Sequence, residues 1–196
     1  MRVFVLASLL WLVPQFASAD NGRLLSDDTF AVQKGGDLVL DAGLFAGFPS
    51  ALATGMSTGV GAGITRMCGC HFAYGARASW STVTESNDAW IISQGDLRLR
   101  AIGAVRHTAG RGTLSLRLGV GATVVHETRD HVQGMFGNNT QTSVFSTLPA
   151  ADLDAVIGLH VAGPWLLVVS GGPSVDYFSG GLRGGWSAQL GVAWQP

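Results

Sequence analysis

The sequence predicts an all-β fold, an eight-stranded antiparallel up-and-down barrel that spans a membrane. Three observations predict it. Apolar residues recur at every second position over eight separate stretches. Every charge within those stretches falls opposite the apolar edge. The connections alternate between short turns on one rim and mostly larger loops on the other.

Composition agrees. The 196 residues suffice for one domain with a sizeable core. The chain is 47% apolar and 13% charged, the latter about half the usual share for a soluble domain. It carries 28 glycines but a single lysine, Lys34, and a net charge of −1. That balance excludes a basic footprint for nucleic acid and a polybasic patch for an anionic lipid surface.

Residues 1–19 read as a secretory signal peptide: Arg2, an apolar run from Val3 to Val13, then "PQFASA" with small residues at Ala17 and Ala19. The apolar run is shorter than a membrane-spanning helix requires. Cleavage leaves Asp20 as the new start, and with no cysteine there the lipoprotein reading is disfavoured. Residues 20–36 form a short periplasmic lead, and 37–196 are assigned to the barrel.

The first stretch, "DLVLDAGLFAGF" (37–48), sets Leu38, Leu40, Leu44 and Phe48 against Asp37, Asp41, Gly43 and Gly47. The second, 54–65, opposes Met56, Val60 and Ile64 to Ser57 and four glycines. In the third, 70–81, Phe72, Tyr74 and Trp80 oppose His71, Arg77 and two serines. The fourth, 91–106, sets Leu97, Leu99 and Val105 against Gln94, Asp96, Arg98, Arg100 and Arg106. The fifth, "TLSLRLGVGATV" (113–124), is regular throughout, with Arg117 and two glycines opposite its oily edge. The sixth, 151–162, opposes Leu153, Ile157 and Leu159 to Asp152, Asp154 and His160. The seventh, 165–178, starts apolar on both sides; the eighth, 182–194, alternates cleanly from Leu182 to Trp194. One segment, "AVIGLHVAGPWLLVVSGG" (155–172), resembles a membrane helix, but Gly163-Pro164 breaks it into two strands and a turn.

Runs of about 12 residues exceed the usual five or six of globular strands and suit tilted spanning strands. The short connections are "RMCG" (66–69), "TAGRG" (108–112) and "GP" (163–164). The opposite rim carries "PSALA" (49–53), "TVTESNDA" (82–89), the long 127–146 segment and "SGG" (179–181). Short periplasmic turns and longer external loops characterise outer-membrane barrels. Phe48, Trp80, Tyr177 and Trp186 fall near the long-loop rim; Phe72, Tyr74, Trp165 and Trp194 fall near the other, as two interfacial girdles. The oily edge then faces lipid and the charges face inward. Hydrocarbon outside forbids open strand edges, so the sheet must close. Inner-face glycines leave room for long side chains opposite, and eight strands enclose a space that side chains fill.

These strands and rims resemble the small eight-stranded outer-membrane β-barrels, similar to the OmpA transmembrane domain and OmpX, over roughly residues 37–194. The resemblance is architectural. It implies a Gram-negative outer membrane, insertion by the barrel-assembly machinery, contact with outer-membrane lipids, and a structural, adhesive or partner-binding role. Members usually end on an aromatic residue; here Gln195 and Pro196 follow Trp194, and Gln189 replaces the usual glycine of the assembly signal.

Inward charges form the main candidate site. Asp96, Arg98, Arg100 and Arg117, with Asp152 and Asp154 on the next strand, are expected to pair and plug the lumen, because a buried charge persists only when paired and hydrogen-bonded. An ion or proton path is the alternative. "HETRDH" (126–131) opens the longest expected loop, where His126 with Glu127, Asp130 and His131 offers a general base beside carboxylates. Lipid A deacylase barrels use His-x-Ser; this chain has His126-Glu127-Thr128, so a solvated loop base is the default. Cys68 and Cys70 flank Gly69 at the first short turn; an exported pair can bridge, although the ring is tight. Free or partner-linked thiols and a metal site are the alternatives, but two Cys and His71 fall short of a closed zinc shell. "GMSTG" (55–59) and "GVGAG" (59–63) lie in an alternating strand rather than at a strand–turn–helix, so neither marks a nucleophile or a phosphate cradle. "NNT" (138–140) is a polar loop tip.

The reading that emerges is an exported barrel of the cell outer membrane, structural or partner-binding rather than enzymatic, without cofactor. Met135, Phe136, Val144 and Phe145 on the 127–146 segment are placed to touch a protein partner, a surface or one another. Two rivals remain. One is a lipid-modifying enzyme dependent on His126. The other is a secreted lipocalin-like barrel with its faces inverted, against which the aromatic girdles argue.

Overall fold

The computed structural model describes residues 38–48, 55–68, 71–86, 90–131, 142–178 and 180–196. The signal peptide, the 20–36 lead, Cys70, Met135, Phe136 and the "NNT" tip lie outside the described residues. The eight strands are β1 (Leu38–Phe48), β2 (Ser57–Cys68), β3 (Phe72–Ser86), β4 (Trp90–Ala109), β5 (Gly112–His131), β6 (Thr142–Ala162), β7 (Trp165–Phe178) and β8 (Gly181–Trp194). Each pairs antiparallel with the next, and β1 pairs with β8 from Leu40↔Trp194 to Phe48↔Trp186, which closes the barrel. The expected up-and-down topology is present in full.

Pairing followed from Val39 once around the wall, through Gly119 and Asp152 to Gly185, returns to β1 about ten residues further along, beyond Phe48. A stagger of that size in eight strands goes with a strand tilt of about 40°. Tilt explains why about 11–14 residues cross one apolar belt, where an upright strand would need fewer. The tight turns are glycine-dependent: Gly110, Gly163 and Gly180 adopt φ of 56°, 52° and 80°, a region that side-chain-bearing residues rarely enter.

The two faces separate as the period of two requires. Leu40, Leu44, Val60, Ile64, Leu99, Leu116, Leu118, Val120, Leu153, Ile157, Leu190 and Val192 all point outward and are exposed. Phe48, Trp80, Tyr177 and Trp186 ring one end of this belt, with Phe72, Tyr74 and Trp165 at the other, all exposed. Trp80 lies across Gly95 on β4, where a Cβ would sit 2.7 Å from the indole. Such covering of a glycine by a neighbouring aromatic shields backbone that a side chain would otherwise protect. Among the described residues, outward charged or imidazole side chains stand outside the apolar belt, such as Arg66 and His107 at the short turns and His126 and Asp130 on the projecting part of β5. An inverted, lipocalin-like barrel with an oily interior and wet exterior is therefore not what this chain forms.

The interior departs from expectation in one respect: it is layered. Asp41, Asp96, Arg98, Arg100, Arg106 and Asp176 are buried inside, but so are Phe45, Met67, Ile102, Val125, Leu148, Val156 and Leu166. Val125, Leu148 and Phe178 form an apolar cluster in the upper lumen, towards the long-connection rim. Leu166 and Val168 line the lower lumen with Met67 and Val156, which explains why the start of β7 is apolar on both sides. Its outward residues meet the surroundings, and its inward ones meet an apolar floor.

The strands also run further than the alternation suggested. β3 continues to Ser86, β5 continues to His131, and β6 begins at Thr142. Half of the expected 127–146 loop, 127–131 and 142–146, is therefore strand, as are residues 82–86 of the expected 82–89 loop. Beyond the apolar belt the outward face no longer has to be oily, so hydrophobic alternation fades while β-branched residues such as Val124, Val125, Thr128, Thr142 and Val144 continue to favour extended backbone. The result is a ribbon of β3, β4, β5 and β6 that projects past the aromatic ring at Trp80 and Trp186.

Candidate functional site

Register explains the lumen network. Arg100 on β4 faces Gly121 of β5, and the adjacent inward position on β5 is Gly119. With no side chain in the way, the guanidinium crosses β5 and meets Asp152 of β6, Nε to Oδ2 at 2.6 Å. Its Nη1 donates to the Ala122 carbonyl at 2.6 Å, and its Nη2 donates to Thr123 Oγ1 at 3.0 Å. The Thr123 hydroxyl in turn donates to Asp176 Oδ1 at 2.9 Å. One arginine thus links β4, β5, β6 and β7. A second link crosses the lumen, from Arg77 Nη1 on β3 to Asp154 Oδ2 on β6 at 3.8 Å. Lower down, Arg106 Nη2 donates to Gln195 Oε1 at 3.0 Å.

Of the six lumen residues expected to pair, Arg100 and Asp152 meet directly. Asp154 takes Arg77 rather than Arg117, its register partner on β5. Asp96 accepts from Gln94 Nε2 at 2.7 Å. Arg98 stands over the Phe45 ring, 5.6 Å from its centroid. Arg117 has no carboxylate within 4.0 Å among the described residues. The expected ladder along Asp96, Arg98, Arg100 and Arg117 does not form. Alternate positions of one strand lie about 7 Å apart, and Arg117 sits opposite Ala104, beyond Arg100 along β4. Sequence reasoning put Arg77 and Asp176 on the correct face without giving them partners; it passed over Thr123 and Phe45. Parity alone could have found Phe45, a large residue among inward glycines.

Two small lumen cavities flank this level. One, about 40 Å³, is lined by Phe45, Arg77, Arg98, Arg100, Asp152, Asp154 and Gln189, among others. The other, about 60 Å³, lies below, between Asp41, Arg106, Arg117 and the apolar floor. Each is of a size for a few waters.

The external candidates separate. His126, Glu127 and Asp130 lie on β5, not on a loop, so neighbours in sequence point to opposite sides. His126 faces outward, stacks on Phe145 at 4.1 Å between ring centroids, and has Nε2 3.0 Å from Ser143 Oγ. Glu127 points inward, is 2% exposed and is ion-paired with Arg129. Asp130 faces out a further turn of the pleat along, and His131 ends the strand. The arrangement of His126 beside carboxylates is therefore corrected: the strand pleat puts Glu127 across the sheet from the imidazole. Val144 and Phe145 are likewise split between faces, and Phe145 is 71% exposed.

Two minor sites resolve simply. Cys68 ends β2 facing outward and is exposed, bonded to no other cysteine among the described residues; Cys70, its expected partner, lies outside them. The serine of "GMSTG", Ser57, is fully buried in the lumen and donates to the Gly47 carbonyl at 3.1 Å, so it is no nucleophile.

No protein-family model matches the chain, and no curated protein matches it. Solved structures do. Ail, the attachment invasion locus protein of Yersinia pestis, aligns with a TM-score of 0.57 at 11% identity, over 83% of this chain and 99% of Ail. A major outer membrane protein from Thermus thermophilus aligns with a TM-score of 0.56 at 8% identity, over 81% and 99% of the two chains. The outer membrane protein OprG from Pseudomonas aeruginosa gives 0.53 at 11% identity, over 83% and 97%. At such identities the likeness is one of fold, and the fold is that of the small eight-stranded outer-membrane β-barrels.

Proposed function

We propose that this protein is an integral barrel of the cell outer membrane, exported through residues 1–19, with a closed lumen and a partner-binding role carried by the projecting ribbon. The observation that carries the reading is the ribbon itself. β4, β5 and β6 span 20, 20 and 21 residues, well beyond the belt. Pairing of β6 with β7 begins at Ala150↔Asp176, so among the described residues the part of β6 from Thr142 to Pro149 pairs on the β5 side alone. A strand edge of this kind, outside lipid and bearing the exposed Phe145, offers main-chain donors and acceptors to an extended partner segment.

Lipid tails contact the oily belt, and insertion falls to the barrel-assembly machinery. Ail has been solved in complex with the heparin analogue sucrose octasulfate. On this chain the ribbon favours a different chemistry: Arg129 is already ion-paired with Glu127, and the outward face beside it carries His126, Ser143, Phe145 and Asp130. A protein strand fits that surface better than a polyanion does. The lumen network supports closure, since two crossing arginines and an apolar layer on each side leave cavities rather than a channel.

A photo-crosslinking amino acid at Phe145 in intact cells tests the role. The expected result is a discrete adduct with an envelope or surface protein, absent when the group is moved to Leu190 in the belt. Adducts with lipid alone at both positions would contradict it.

A further inference from the structure

Arg66 interrupts the oily face of β2. It points outward and is exposed, next along that face from Ile64 in the belt. Its register partner on β3 is Tyr74, an exposed member of the aromatic ring at the short-turn rim. Directly paired residues carry Cβ atoms about 5 Å apart, so the guanidinium and the phenol can reach a common point. The barrel's stagger sets Arg66 level with Phe72 and Tyr74, where hydrocarbon gives way to headgroups. Among the described residues no outward aspartate or glutamate stands at this rim.

A second feature adjoins this pair. Gly103 on β4 is the partner of Tyr74 on its other side, faces outward and is exposed. A Cβ at Gly103 would meet nothing within 4 Å. At the opposite rim the indole of Trp80 covers Gly95; at Gly103 the neighbouring aromatic leaves the backbone bare. The notch is flanked by Tyr74 and by Leu118 of β5, and it lies a few ångströms nearer the middle of the belt than Arg66. Two hydrogen-bond donors at headgroup depth thus stand beside an uncovered recess at acyl-chain depth.

We propose that Arg66, Tyr74 and Gly103 hold one glycerophospholipid of the leaflet on the short-turn side. Arg66 and the Tyr74 hydroxyl donate to its phosphodiester oxygens, and the start of one acyl chain lies in the Gly103 notch. Arginine suits the task, because its planar fork donates two parallel hydrogen bonds to a phosphate. The recognised group is the phosphodiester, present whether the headgroup is ethanolamine or glycerol. The site therefore reads one phosphate and not the charge of the whole lipid surface. It rests on the barrel's placement in the bilayer and is independent of the ribbon's role.

The test uses protein refolded into vesicles of phosphatidylethanolamine and phosphatidylglycerol, extracted into mild detergent and weighed intact by native mass spectrometry. One retained phospholipid per barrel is expected. Arg66→Gln should lower the retained fraction about tenfold through the lost charge-assisted hydrogen bonds. Gly103→Leu, whose side chain fills the notch, should lower it too, while Arg111→Gln, at an exposed turn, should match wild type. Solid-state NMR of the wild type in the same vesicles gives a second readout that needs no variant. Lipid phosphorus should dephase the Arg66 Cζ signal strongly and that of Arg111 weakly, and acyl-chain contacts at Leu116 report insertion separately. Equal retention by wild type and Arg66→Gln, or equal dephasing of both arginines in a barrel that shows the Leu116 contacts, would overturn the proposal. Loss of the Leu116 contacts would contradict the barrel's placement, and the site with it.

Discussion

Arg100 and Asp152 belong to strands that do not pair with each other, yet their side chains meet at 2.6 Å across the glycine face of β5. Side-chain exposure is 4% for the arginine and 18% for the aspartate. Removing Asp152 leaves Arg100 with Asp176 alone, 3.9 Å away, and breaking a buried pair costs about 3–5 kcal/mol. Asp152→Ala should therefore destabilise the barrel by roughly 3 kcal/mol in urea unfolding. The double variant Arg100→Met/Asp152→Ala should recover much of that loss; additive losses would mean that the pair is not coupled.

Gly119 and Gly121 sit on the same strand but differ in the room beside them. A Cβ at Gly119 would lie 3.4 Å from Asp152 Oδ2 and 3.5 Å from the Arg100 stem, ordinary contact with flexible groups. A Cβ at Gly121 would lie 2.0 Å from the Leu99 carbonyl oxygen, which is backbone. Gly119→Ala should fold with nearly wild-type stability, whereas Gly121→Ala should lower the folded yield sharply. Equal tolerance at both positions, judged by the folded band on unheated gels, would count against the register.

The sequence conveyed strand number, the identity of the inward face and the closed topology, because a two-residue period survives wherever one side must be oily. It conveyed pairing poorly. Arg77 and Asp154 meet across the lumen through the stagger of the whole barrel, a property of all eight registers together and of no short segment. The ribbon was hidden for a different reason. Past Trp80 the surroundings cease to demand alternation, so "HETRDH" looked like a loop although its backbone continues β5. His126 and Glu127 then read as neighbours, when the pleat sets them on opposite sides.

If His126 serves the ribbon rather than catalysis, its removal should leave lipid chemistry untouched. His126→Ala should give the same lipid A acylation pattern as wild type. It should also cost about 0.5–1 kcal/mol through the lost stack on Phe145. A changed acylation profile would restore the enzymatic reading.

Closure of the lumen predicts electrical silence. With Arg77–Asp154 and Arg100–Asp152 spanning the interior, purified protein in planar bilayers should give no large, stable conductance steps. Reproducible single-channel openings would show that a path runs through the network.

The central claim concerns which face meets hydrocarbon. Nitroxide spin labels at Leu116→Cys and Ser115→Cys, in a background lacking Cys68 and Cys70, test adjacent positions on β5 whose side chains point to opposite sides. In lipid bilayers the label at 116 should be strongly relaxed by dissolved oxygen and little by a water-soluble nickel complex. The label at 115 should be shielded from both. Strong collision with the nickel complex at 116, together with an oxygen-rich environment at 115, would contradict the account.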